Sequence, residues 1–249
     1  YLLLWVPGGL MVLQLLDGAK KLKILIAGAS GGIGKFLANE LSKQGFVVYG
    51  TYNTNPPKIN LTYQMDKVDV TKESEVEKWI NDVADTLDEI CLIYCVGSNY
   101  NCITHKAETD KWLEVINANL IGAQFVIKHI LPLMREKKYG RIILFSSVVP
   151  QIGVPGTSAY SASKAGLWGL TKTVAIENAT YGITINTVNL GYFDIGMIKD
   201  VPTELLNKII NTIPMEKLGD PINILQTVEY LIATDYITGS QINLNGGLY

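Results

Sequence analysis

The chain has 249 residues, 21 of them basic and 23 acidic, for a formal net charge of −2. Hydrophobic residues make up 48% and charged residues 18%, which excludes a disordered chain and predicts a well-covered core. The near-neutral charge argues against a nucleic-acid binder, which needs a basic face.

Tyr1–Leu16 is largely apolar, but Pro7, Gly8, Gly9 and Gln14 interrupt it before membrane-spanning length. It has neither the basic start nor the small-residue cleavage site of a signal peptide. Met11 offers a natural start, so Tyr1–Leu10 is expected to be upstream sequence and 1–21 an extension to the folded domain. From Leu22 the pattern becomes strand, helix, strand. Leu22–Ala27 reads as a buried strand, Ile33–Gln44 as a helix and Phe46–Tyr52 as the next strand. Lys67–Val70 reads as a short strand and Glu73–Leu87 as a helix. Ile90–Val96 and Arg141–Phe145 are continuous apolar runs, the pattern of parallel strands covered on both faces. Lys111–Lys137 and Ala159–Thr180 read as long helices. A strand at Ile183–Asn189, a helix near Ile222–Ala233 and a strand at Gln241–Leu244 complete the alternation. The pattern predicts one doubly wound, Rossmann-like α/β domain over 22–249, a parallel sheet between two helical layers. The stretch from Tyr192 to Lys217 comes after a strand's carboxyl end and is the candidate substrate lid.

Cys91, Cys95 and Cys102 are odd in number and lack C-x-x-C spacing, so neither a metal site nor a disulfide framework is expected. Bystander thiols in a reducing compartment fit a cytoplasmic protein.

Between the first strand and first helix stands Gly28-Ala29-Ser30-Gly31-Gly32-Ile33-Gly34. Such a turn brings backbone N–H groups and a helix start to a pyrophosphate. Glycine also ends strands for steric reasons, but this place near the front of the fold favours the nucleotide. The spacing G-x-x-x-G-x-G differs from G-x-G-x-x-G, and no P-loop pattern occurs.

With this turn come Asp69-Val70, Val96-Gly97, Asn117-Ala118-Asn119-Leu120, Ser146-Ser147 and Tyr160-Ser-Ala-Ser-Lys164, in that order. Over Leu22–Tyr249 the chain resembles the short-chain dehydrogenase/reductase family. The tail from Ile237-Thr238-Gly239 to Asn245-Gly246-Gly247 is similar to that of 3-oxoacyl-(acyl-carrier-protein) reductases. The resemblance implies a nicotinamide cofactor held by Gly28, Ser30, Gly31, Gly32, Ile33 and Gly34. Further contacts are implied from Tyr52 and Asn53, from Asp69 and Val70, from Cys95, Val96 and Gly97, and from Gly191 and Phe193. It implies catalysis by Asn119, Ser147, Tyr160 and Lys164, the last two touching the cofactor as well.

Tyr160 and Lys164, at i and i+4, share one helical face, so an ammonium beside the phenol would lower its pKa from about 10. The spacing alone says little. With 13 tyrosines and 19 lysines roughly one chance copy is expected, and Tyr63/Lys67 is assigned that place. What singles out Tyr160 is Ser147, thirteen residues upstream at the end of a buried strand, together with Asn119. The resemblance implies that Tyr160 exchanges a proton with the substrate oxygen while Lys164 tunes it and holds the nicotinamide ribose. Ser147 would hydrogen-bond the substrate carbonyl as an oxyanion donor. Ser146 would face away, and Asn119 would hold a water linking Lys164 to solvent. Neither histidine sits in a matching context, which leaves no serine hydrolase to compete.

The chain departs from the family at several points. The usual Asn-Asn-Ala-Gly is Tyr94-Cys95-Val96-Gly97, which removes a bracing amide and leaves Cys95 to pack. Pro-Gly becomes Leu190-Gly191, and a threonine that contacts cofactor becomes Ile195. The connection from Asn53 to Asp69, with Pro56-Pro57, is too short for the usual helix. Tyr52 stands where NAD-dependent relatives carry Asp, which removes the barrier to a 2′-phosphate. Gly31 stands where NADP-dependent relatives carry a basic residue, leaving Asn53, Lys35 and Lys58 as candidates to meet the phosphate.

The expected function is NADPH-dependent reduction of a 3-oxoacyl-type carbonyl. The alternatives are an NAD-dependent alcohol, sugar or polyol dehydrogenase and, outside enzymes, a nucleotide-binding sensor or scaffold. Expected partners are a small or acyl-thioester substrate and further copies of the chain, as a homotetramer or homodimer through the long helices. Nucleic acid and membrane are not expected. Carrier-protein reductases dock their carrier on basic residues; the corresponding positions are Lys138 and the uncharged Tyr181.

Overall fold

The computed structural model describes residues 22–56 and 61–249; the extension at 1–21 and Lys58 lie outside them. In chain order come β1 (Leu22–Ala27), α1 (Gly32–Lys43), β2 (Val47–Tyr52), β3 (Gln64–Lys67), α2 (Glu73–Ala84) and β4 (Glu89–Tyr94). α3 (Thr109–Ile116) runs through a π-helical turn (Asn117–Ile121) into α4 (Gly122–Lys137). Next are β5 (Gly140–Ser147), α5 (Val149–Ile152), α6 (Ser158–Asn178) and β6 (Ile183–Leu190). α7 (Thr203–Thr212), α8 (Pro221–Ala233) and β7 (Gln241–Leu244) end the chain.

The strands form one parallel sheet in the order β3-β2-β1-β4-β5-β6-β7. Successive side chains of a strand point to opposite faces. Ile24 and Ile26 of β1 accordingly pack with Leu37 and Leu41 of α1 and Val228 of α8. Leu25 and Ala27 pack on the other side with Ile80 of α2, Val126 of α4 and Leu167 of α6. Both faces are therefore buried, which is why the central strands read as continuous apolar runs. α8 starts where Asp220 accepts a hydrogen bond from Ile222 N at 2.9 Å and Pro221 presets the first turn.

Strand order reverses between β1 and β4, so their carboxyl ends open a crevice. The glycine turn leads from β1 into this crevice, and Cys95–Gly97 enters it from β4. Two expectations need correction. The third strand is Gln64–Lys67, not Lys67–Val70: the polar edge strand carries no apolar signal, while Val68 and Val70 are buried just beyond it. The helix expected over Lys111–Lys137 is interrupted by the π-helical turn. Among the described residues no helix is long and apolar enough to cross a membrane.

Candidate active site

The glycine turn is tied to β2 by its own backbone. Gly28 N donates to Thr51 Oγ1 at 3.0 Å, and Ala29 N to Thr51 O at 2.8 Å. Gly28 has φ +83°, and a Cβ there would stand 3.0 Å from both Val96 Cγ2 and Val96 N. A Cβ at Gly34 would lie 2.2 Å from Gly28 O. Only glycine permits this close approach of β1, α1 and the segment after β4. Gly31 is the N-cap of α1 and offers no side-chain cap, so the helix's first N–H groups remain available to an anion. Ser30 and Ile33 are half-buried beside the turn, and a Cβ on exposed Gly31 would meet nothing within 4 Å. This cradle fits a dinucleotide pyrophosphate.

The other expected cofactor residues surround the same crevice, with differences. Tyr52 ends β2 half-buried, and Asn53 and Lys35 are exposed. The Asp69 carboxylate accepts from Thr71 N at 3.1 Å and Thr71 Oγ1 at 2.7 Å, while Asp69 N donates to Glu75 Oε2 at 2.8 Å. Val70 is buried over Gly122. Cys95 N donates to Ala27 O at 2.9 Å, and its side chain packs beside Gly34, where burial pushes the thiol's pKa up. Gly97 lies nearest Lys164, whose Nζ would be 3.8 Å from a Cβ placed there. Gly191 N donates to Leu244 O at 2.9 Å. The Phe193 ring turns into the core against Gly219, so its side chain serves packing. Ile195 is half-buried, and its neighbour Gly196 comes directly over Gly32.

Asn119, Ser147, Tyr160 and Lys164 converge beside this crevice. Ser147 ends β5 and accepts from Val149 N at 3.1 Å. Tyr160 and Lys164 lie in the first two turns of α6. Lys164 is 4% exposed, its Nζ donates to Phe145 O at 2.9 Å, and it stands 5.8 Å from the Tyr160 ring centroid. Burial pulls the Lys164 ammonium down from 10.5 to about 8. The expected lowering of the Tyr160 phenol is reversed. Burial raises it, and a hydrogen bond with Ser147 only partly opposes that. Lys164 spends its ammonium on a backbone carbonyl instead. Asn119 is fully buried; its Oδ1 accepts from Ser98 N at 2.8 Å, and its Nδ2 donates to Ser98 O at 3.0 Å and Ser163 Oγ at 2.9 Å. Ser146 Oγ turns away, donating to Lys164 O at 3.0 Å and accepting from Trp168 Nε1 at 2.9 Å.

Two residues of the site do not stand out in the sequence. Tyr192, directly after Gly191, is half-buried and near enough for a charge on it to act on Tyr160. It also walls a cavity of about 920 Å³ with Ile213, Met215, Leu218 and Lys217. A polar aromatic at a strand's carboxyl end is the one signal available. Tyr94 shows in the sequence only as a lost amide. It is fully buried, and its hydroxyl donates to Ala118 O at 2.6 Å, bracing β4 against the turn that holds Asn119. The second Tyr-x-x-x-Lys copy, Tyr63/Lys67, ends on edge strand β3.

A family model described as Enoyl-(Acyl carrier protein) reductase matches residues 28–249. A 3-oxoacyl-(acyl-carrier-protein) reductase of Staphylococcus epidermidis is 32% identical over 238 residues, covering 90% of this chain and 98% of the relative. An acetoacetyl-CoA reductase of Shinella zoogloeoides is 35% identical over 234 residues, covering 90% and 97%. A crystal structure from Agrobacterium tumefaciens, provisionally described as a gluconate dehydrogenase, superposes with a TM-score of 0.84 at 24% identity. It covers 92% of this chain and 96% of its own.

Proposed function

The chain belongs to the short-chain dehydrogenase/reductase family and is an oxidoreductase; from that premise we propose that it reduces the 3-oxo group of an acyl thioester with NADPH. The observation that carries this reading is the convergence of Ser147, Tyr160, Lys164 and Asn119 at the crevice mouth beside the glycine cradle. Bound nicotinamide would supply the hydride. The Ser147 and Tyr160 hydroxyls hold the carbonyl oxygen where negative charge develops. Tyr160 then delivers its proton to that oxygen, and a phenol raised by burial is protonated at neutral pH, as an acid in the reductive direction must be. Lys164, fixed on Phe145 O, would hold the nicotinamide ribose and pass the replacement proton. Asn119, locked to Ser98 and Ser163, anchors the solvent end of that path. The cavity walled by Tyr192, Ile213 and Met215 suits an acyl arm, with the 192–217 segment as its lid. Three unpaired thiols suit a reducing, cytoplasmic setting, and Ile176, 83% exposed on α6, suits a contact between copies.

NADPH is the preferred cofactor because β2 ends in Tyr52 followed by Asn53, with no acidic side chain at that position to repel a 2′-phosphate. Tyr52→Asp is expected to reverse the preference toward NADH. Gly31→Arg is expected to strengthen it about tenfold, since the site is open, φ is an ordinary −106°, and a charge-assisted hydrogen bond is worth that much. Kinetics with both cofactors at low and high salt check this. A wild-type preference for NADH would refute the phosphate site.

For the acyl-thioester substrate, Lys138 is exposed, and the Tyr181 ring carries the Arg135 guanidinium 4.7 Å from its centroid. Arg135 is also tied to Asn178 Oδ1 at 2.7 Å, so it is a less mobile docking cation than a free basic residue at 181 would be. Weaker steering lowers the on-rate for an acidic carrier. The carrier-bound and coenzyme A forms of one 3-oxoacyl group are expected to give similar kcat/KM. A strong carrier preference would place the docking surface elsewhere.

A further inference from the structure

The turn that holds Asn119 has an unusual hydrogen-bond pattern. In an α-helix Gly122 N would donate to Ala118 O, four residues back. Here it donates to Asn117 O, five back, which makes the turn π-helical. Ala118 O, on a half-buried residue, thereby loses its ordinary donor and needs another. Tyr94 Oη supplies it from β4 at 2.6 Å. Tyr94 is fully buried, and burial drives its phenol far upward, so the hydroxyl remains a donor. Gly122 leaves room for the contact: a Cβ there would stand 2.6 Å from Tyr94 Oη and 2.9 Å from Val70 Cγ2.

One residue more in a turn rotates the helix on its N-terminal side by roughly 100° relative to the helix on its C-terminal side. Asn119 sits in the middle of that widened turn, with its amide aimed at Ser98 and Ser163. We propose that the Tyr94 hydroxyl, admitted by Gly122, holds the π-helical turn open and is thereby a positioning residue for Asn119. Tyr94 touches neither cofactor nor substrate in this scheme; it acts through the backbone of Ala118. The inference rests on the reading that Asn119 serves the proton path.

A double-mutant cycle of Tyr94→Phe and Asn119→Ala tests it, with kcat, KM and NADPH dissociation measured well below each variant's Tm. Phe keeps the ring and its packing. Tyr94→Phe is expected to lower kcat about tenfold, a fraction of what general acid–base catalysis contributes. KM and NADPH affinity should stay within about twofold, since the loss falls on the chemical step. In the Asn119→Ala background the same change is expected to cost nothing further, because residues acting as one unit are not additive. Wild-type kcat in Tyr94→Phe, or an equal loss in both backgrounds, would overturn the proposal. So would a Tyr94→Phe chain that no longer binds NADPH, which would mark the hydroxyl as part of the fold alone. Wild-type kcat in Asn119→Ala, by contrast, would overturn the relay on which the proposal stands.

Discussion

Tyr160→Phe is expected to lower kcat about 10³-fold, within the range that a positioned acid contributes, while NADPH affinity changes less than about twofold. The phenyl ring keeps its packing at the start of α6, and Ser147 keeps its bond from Val149 N. The variant lacks the hydroxyl that transfers its proton to the substrate oxygen, so the loss should fall on kcat rather than on cofactor binding. Tyr63→Phe is the control. That tyrosine also has a lysine four residues on, but it lies at edge strand β3, away from Ser147 and Asn119, and burial raises its phenol. It should leave kcat unchanged. Comparable losses at both sites in folded protein would remove Tyr160 from the mechanism.

Lys164→Met is expected to abolish turnover and yet make the protein more stable at pH 7. The ammonium is buried with a single carbonyl partner, and burial holds its pKa near 8 against an ordinary 10.5. Its folded value lies below its unfolded one, so between about 8 and 10.5 the unfolded chain binds more protons. Wild-type stability therefore rises with pH across that window, and the full penalty is present below it. The gap corresponds to about 3 kcal/mol, and leaving Phe145 O without its donor returns about 1. Met fills similar volume without charge, so the net gain is about 2 kcal/mol, or roughly 4–8 °C in Tm. Melting curves from pH 7 to 10.5 read the effect as an advantage that shrinks with rising pH. A variant less stable than wild type at pH 7, or an advantage flat with pH, would show that Lys164 is not held against a desolvation cost. The destabilised lysine is what an active site maintains at the expense of stability.

Most of the fold is legible in the residue pattern because burial on both faces leaves an unmistakable mark. β1 falls at Leu22–Ala27 as expected, and β5 contains the apolar run Arg141–Phe145. β3 is not legible, since an edge strand such as Gln-Met-Asp-Lys is under no pressure to be apolar. The π-helical turn is equally hidden, because an extra residue in one turn leaves the apolar pattern from Lys111 to Lys137 nearly unchanged. Spacing and resemblance point to the members of the tetrad, but not to their electrostatics. Spacing puts Lys164 beside Tyr160; it cannot say that the ammonium spends itself on Phe145 O and that burial dominates the phenol. Phe193 has the right place in the chain for a cofactor contact, which does not reveal that its ring faces Gly219. Tyr94 looks like a loss in the sequence because its hydroxyl's partner lies across the fold, on α4's approach.

The most direct measurement is NADPH consumption by the wild-type protein with acetoacetyl-CoA, with crotonyl-CoA in parallel and products identified. The expected result is one NADPH oxidised per 3-hydroxybutyryl-CoA formed, and no oxidation with crotonyl-CoA. Protein that binds NADPH but leaves acetoacetyl-CoA unreduced, or that reduces crotonyl-CoA in its place, would contradict a carbonyl reductase built on Ser147, Tyr160 and Lys164.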